Sequence, residues 1–135
     1  MSPWVAKSAI RLMAAVGRLP LPVVRSLGWV FGQVLHGLAR ERRHIALTNW
    51  RLCFPGDDDA TRRRAVKAHF VVFAQAWLDR GWLWHAPRDV VARRVRLTGQ
   101  TDALQGTEPV VVFAPHFVGL DAGWLALTLH LTRQS

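Results

Sequence analysis

The chain has 135 residues, half of them apolar, and 18 Lys and Arg against 9 Asp and Glu give a formal net charge of +9. Apolar content that high excludes a disordered tail and leaves material for a sizeable core or a membrane-facing surface, in one domain or part of a larger one. The single cysteine, Cys53, excludes an internal disulfide and fits a reducing compartment.

The positive charge is carried almost wholly by arginine, since only Lys7 and Lys67 are lysines. Such a field favours anionic partners: phospholipid head groups, phosphorylated sugars, an acidic carrier protein or nucleic acid. Seven Trp and six Phe stand beside no Tyr, a set that suits both cores and membrane interfaces.

Residues 4–39 are rich in Trp, Val, Leu, Ala and Gly. Arg11, Arg18 and Arg25 interrupt the apolar run, and no small-residue cleavage site follows, so this is not read as a secretory signal. The window 19–39 is near the length of a spanning helix, about 20 residues. Pro20 and Pro22 break its start, however, and Arg25 is costly against lipid. The three arginines, spaced by seven, fall on one helical face, so an amphipathic segment lying in the membrane interface stands at least level with a true span. Two core helices joined at the Leu-Pro-Leu-Pro turn are the alternative. Residues 1–40 are thus assigned as a membrane-associated helical segment, and 41–135 as the following domain.

Helical spacing continues through Val34, Leu35, Leu38, Ile45 and Leu52, beside a basic surface of Arg40, Arg42, Arg43 and Arg51. Pro55-Gly56 and the aspartates 57–59 predict a stop and a restart, with one aspartate or Thr61 as the cap. The next helix is expected over 60–84, with Val66, Phe70, Phe73, Trp77 and Trp84 near one stripe. These read as core residues, with a ligand role only if they line an acyl-chain groove. Cys53, between Leu52 and Phe54, reads as a buried structural thiol.

Alternation over 94–98 then predicts a strand, 99–106 a short helix, and the wholly apolar 109–114 a strand buried on both faces. A final helix is expected from about Asp121 to Leu131. The resulting fold class is α/β, with a helical N-terminal section ahead of the first strands and helices of a layered domain. Two strands cannot make the covered sheet that 109–114 requires, so the chain is expected to be an N-terminal part, inactive and poorly folded alone.

One pair of residues stands out for chemistry. His116 follows the expected strand, where α/β sheets place their ligands, and Asp121 lies five residues on, with Gly119 between them to ease a turn. At the first turn of the next helix, the Asp121 carboxylate can fold back on the imidazole and fix its tautomer. The other ring nitrogen is then free to take a proton from a hydroxyl. The sequence contains no Gly-x-Ser-x-Gly elbow, Walker loop, Gly-x-Gly-x-x-Gly or His-Glu-x-x-His. The remaining histidines are scattered, with no metal-ligand spacing, and no nucleic-acid reading module is visible.

Three segments give the sequence a resemblance to the lipid A biosynthesis acyltransferases, the lauroyl and myristoyl transferases of the lysophospholipid-acyltransferase superfamily. They are Arg42-Arg43-His44-Ile45-Ala46-Leu47-Thr48-Asn49 followed by Leu52-Cys53-Phe54-Pro55, then Arg96-Leu97-Thr98-Gly99, then Ala114-Pro115-His116-Phe117-Val118-Gly119-Leu120-Asp121. The last matches the family's His-x4-Asp/Glu motif. The resemblance implies acyl transfer from acyl carrier protein to a hydroxyl of a lipid A precursor glycolipid, at the cytoplasmic face of the bacterial inner membrane. It implies His116 as general base and Asp121 as its orienting partner, with no metal and no cofactor. The positive charge fits the acidic carrier, the phosphorylated glycolipid and the anionic membrane surface. The alternatives are a small basic peripheral membrane-binding protein without catalysis, an inactive fragment, and a nucleic-acid binder.

Overall fold

Helix boundaries follow the punctuation of the sequence. In the computed structural model, residues 2–99, 101, 104, 106 and 109–131 are described, and they form six helices. Pro3 opens α1 (Pro3–Gly17) at its first position, where a missing N–H costs nothing. Pro20 and Pro22 likewise start α2 (Leu21–Leu38). α3 (Arg40–Cys53) carries Glu41 in its first turn and Arg51 in its last, both favourable to the helix dipole. It ends at Phe54, ahead of Pro55, which disfavours helical backbone in the residue before it.

The turn between α3 and α4 (Asp59–His85) is tied down by side chains. The Trp50 indole donates to Asp57 at 2.8 Å and Arg62 donates to the Pro55 carbonyl at 3.0 Å. Among the expected caps, Asp58 does the work: its carboxylate accepts the Thr61 N–H at 2.6 Å. The backbone and hydroxyl of Thr61 hold the Asp58 carboxyl below its ordinary range. A carboxyl lowered in the folded state adds stability that is present above its unfolded value and lost as pH falls through its folded one. Asp58→Ala should therefore lower the thermal midpoint at pH 7, and the gap to wild type should narrow on acidification from about pH 5 to about pH 2. A gap independent of pH in calorimetry would contradict the capping role.

Pro87 precedes the short α5 (Arg88–Arg94), and α6 (Leu120–Leu131) follows a turn at Gly119. The helix expected over 60–84 and the one expected from Asp121 are both present. The α/β fold class is not: no strand occurs among the described residues. Residues 95–98 and 109–114 have no regular structure, and Val111 and Phe113 are 95% and 89% exposed. A strand exists only through its hydrogen-bonded neighbours, and no described segment pairs with either stretch. The short helix expected over 99–106 falls largely outside the described residues.

The chain divides into two compact units, Leu19–Asp79 and Met1–Arg18 with Arg80–Ser135. In the first, Val24, Val66, Phe70 and Ala74 are buried, and α2 lies against α4 along Gly28 and Gly32. Arg25, expected on a face shared with Arg11 and Arg18, instead reaches Asp79 at 2.6 Å. Partial burial, then the charges of Arg43 and Lys67, hold the His36 imidazole below its ordinary range. Protonating it as pH falls below about 6.5 toward its folded value therefore costs folded stability. In the second unit the buried apolar residues are Trp82, Leu83, Val91 and Ala126, and Gly17 meets Gly81 backbone to backbone.

The aromatic stripe of α4 is only partly core. Val66 and Phe70 are buried, whereas Phe73, Trp77 and Trp84 are 48%, 42% and 62% exposed. Cys53 is exposed rather than buried. No described helix is long and apolar enough to cross a membrane.

Candidate functional site

The segment carrying His116 enters α6 through a tight turn. Phe117 N–H donates to Pro115 O at 2.9 Å, and Leu120 N–H donates to Phe117 O at 3.2 Å. Gly119 has φ +90°, in the left-handed region that disfavours any residue with a Cβ. The glycine placed between His116 and Asp121 thus performs the turn expected of it. Asp121 is the acid in the first turn of α6.

The two side chains are delivered to one turn but are not hydrogen-bonded to each other. His116 is exposed and makes no hydrogen bond with any described residue. The Asp121 carboxylate instead accepts from Arg80 Nε at 2.6 Å, with the two side chains 44% and 38% exposed. An ion pair at that exposure is worth roughly 0–1 kcal/mol, little enough for the carboxylate to change partner. The Arg80 guanidinium also lies 5.7 Å from the centre of the Trp84 ring.

Beside Asp121 is a mainly apolar pocket of about 370 Å³, walled by Leu83, Trp84, Ala114, Leu120 and Trp124. His116, Asp121 and this pocket all belong to the unit containing α5 and α6. A carboxylate and an imidazole on one turn, next to an apolar pocket, can position a hydroxyl and accept its proton.

Arg80 was not singled out from the sequence, and Trp84 only as a member of the α4 stripe. The available signal was charge in an apolar run: between Phe70 and Trp84 only Asp79 and Arg80 are charged, and both are paired. A second and larger cavity, of about 720 Å³, lies within Leu19–Asp79 between α2, α3 and α4. The Val66, Phe70 and Phe73 part of the aromatic stripe lines it, as does Cys53.

Comparison with known proteins places these features in a family. The family model described as bacterial lipid A biosynthesis acyltransferase matches residues 2–133, which include both His116 and Asp121. Among curated proteins, the lipid A biosynthesis lauroyltransferase of Escherichia coli (strain K12) is 26% identical over 123 residues. The palmitoleoyltransferase of the same organism and a lipid A biosynthesis acyltransferase of Shigella flexneri are each 28% identical over 123 residues. These matches cover 89% of this chain and 40% of each relative, so the chain spans well under half their length. No solved structure matches the chain. With nearly its whole length matched by the family model, the chain belongs to the bacterial lipid A biosynthesis acyltransferases.

Proposed function

We propose that the protein transfers a fatty acyl group from the thioester of acyl carrier protein to a hydroxyl of a lipid A precursor. The observation that carries this reading is the His116–Asp121 pair set on one Gly119 turn, inside the stretch matched by the acyltransferase family. In the reaction, His116 takes the acceptor proton as the hydroxyl oxygen attacks the thioester carbonyl carbon. Asp121 leaves Arg80, accepts the other imidazole N–H and stabilises the imidazolium. The tetrahedral intermediate collapses with loss of the C–S bond. The departing thiolate takes the proton from His116, leaving an ester and free carrier thiol.

The site is proposed to work at the cytoplasmic face of the inner membrane. Supporting this, α1 exposes Trp4, Val5, Ile10 and Leu12 next to the cations Lys7 and Arg11. A short helix of this composition suits the interface of an anionic bilayer. The test is incubation of the protein with an acyl carrier protein thioester and a lipid A precursor. The expected product is the precursor heavier by one ester-linked acyl group, with one carrier thiol released per ester. Carrier thiol release without ester, or no product with a folded protein, would contradict the reading.

The exposed face of α1 also favours the second reading, a peripheral membrane-binding protein without catalysis. That reading predicts vesicle binding that weakens with salt and no ester product.

A further inference from the structure

The cavity within Leu19–Asp79 uses neither His116 nor Asp121. Its wall has helical register: Arg42, Ala46 and Asn49 follow one another along α3, facing Val66, Phe70 and Phe73 along α4. At about 720 Å³ it lies within the range of roughly 300–1,000 Å³ usual for small-ligand sites. Most of the lining is apolar, and no carboxylate is part of it.

Several other arginines of this unit have partners. Arg25 pairs with Asp79, Arg62 with Asp59, and Arg43 donates to the carbonyls of His36 and Gly37. Arg42 makes no hydrogen bond or ion pair with any described residue. An apolar cavity bearing one uncompensated guanidinium complements an amphiphile with a single alkyl chain and one anionic head. A carboxylate is the head that the planar fork of arginine matches in two parallel hydrogen bonds.

We propose that this cavity binds a free medium-chain fatty acid, its alkyl chain between α3 and α4 and its carboxylate on Arg42. This stands apart from the acyl-transfer reading, because the residues involved are not those of the reaction.

The test is calorimetric titration of the whole protein with decanoate, dodecanoate and dodecan-1-ol, each below its micelle concentration. Dodecanoate should bind about fifteenfold more tightly than decanoate, at about fourfold per buried methylene. Arg42→Gln should weaken dodecanoate about tenfold, as expected for a solvent-accessible charged hydrogen bond, and leave dodecan-1-ol unchanged. Ala46→Trp, which fills the cavity, should abolish binding of both, with the helical circular dichroism retained. Ala46→Leu supplies the same test should the larger residue prevent folding. His116→Ala should bind dodecanoate as wild type does. Equal affinity for decanoate and dodecanoate, dodecan-1-ol binding as tightly as dodecanoate, or undiminished binding in both Ala46 variants would each overturn the proposal. Self-association through the cavity that excludes dodecanoate would overturn it too.

Discussion

His116→Ala is expected to lower acyl transfer by about 10²–10⁴-fold, the usual contribution of a positioned general base. The loss should fall on kcat rather than on binding of the acyl carrier or the glycolipid, because the imidazole acts when the acceptor proton moves. Vesicle association of the variant should match wild type, since the exposed apolar residues of α1 are untouched. Asp121→Asn should reduce kcat in the same direction by removing the charge that stabilises imidazolium. Arg80→Ala should be milder, because it removes only an exposed partner of Asp121. A wild-type rate in purified His116→Ala would remove this residue from the chemistry.

A large effect on stability is expected at Gly32. A Cβ there would stand 2.5 Å from Val71 Cα and 2.9 Å from the Phe70 carbonyl oxygen, both backbone atoms that cannot swing aside. Gly28, one turn earlier on the same face, meets Gln75 Cα at 2.9 Å, so the two glycines let α2 approach α4 closely. Gly32→Val must push the helices apart around Val24, Val66 and Phe70, the buried residues of this unit. Overpacking typically costs about 1–3 kcal/mol, and backbone contact puts this case at the upper end. Gly37→Ala is the control in the same helix: nothing lies within 4 Å of its added Cβ, and it should stabilise by roughly 0.4–1 kcal/mol. Urea unfolding followed by circular dichroism reads both. Equal midpoints for wild type and Gly32→Val would contradict the close packing.

What the sequence disclosed was mostly local. Proline, the aspartates 57–59 and Gly119 act over a few residues, and the helix ends and the turn between His116 and Asp121 could be read from them. The expected strands failed for the opposite reason: alternation at 94–98 and an apolar run at 109–114 describe what a strand needs, while its formation depends on a neighbour. The same distance effect hid the Asp121–Arg80 pair, whose members are 41 positions apart. It also hid the cavity, which exists only because α2, α3 and α4 come together. Cys53 was misplaced because apolar neighbours in sequence are not neighbours in a core; a helix turns adjacent residues to different sides.

The central claim is that Asp121 serves His116 during the reaction, although the structure has it on Arg80. Its most direct test is an experimental structure of the protein with the lipid A precursor bound. The prediction is that the Asp121 carboxylate moves off Arg80 to accept a hydrogen bond from one nitrogen of His116, while the acceptor hydroxyl donates to the other. Asp121 still held by Arg80, with His116 out of reach of both it and the hydroxyl, would contradict the account.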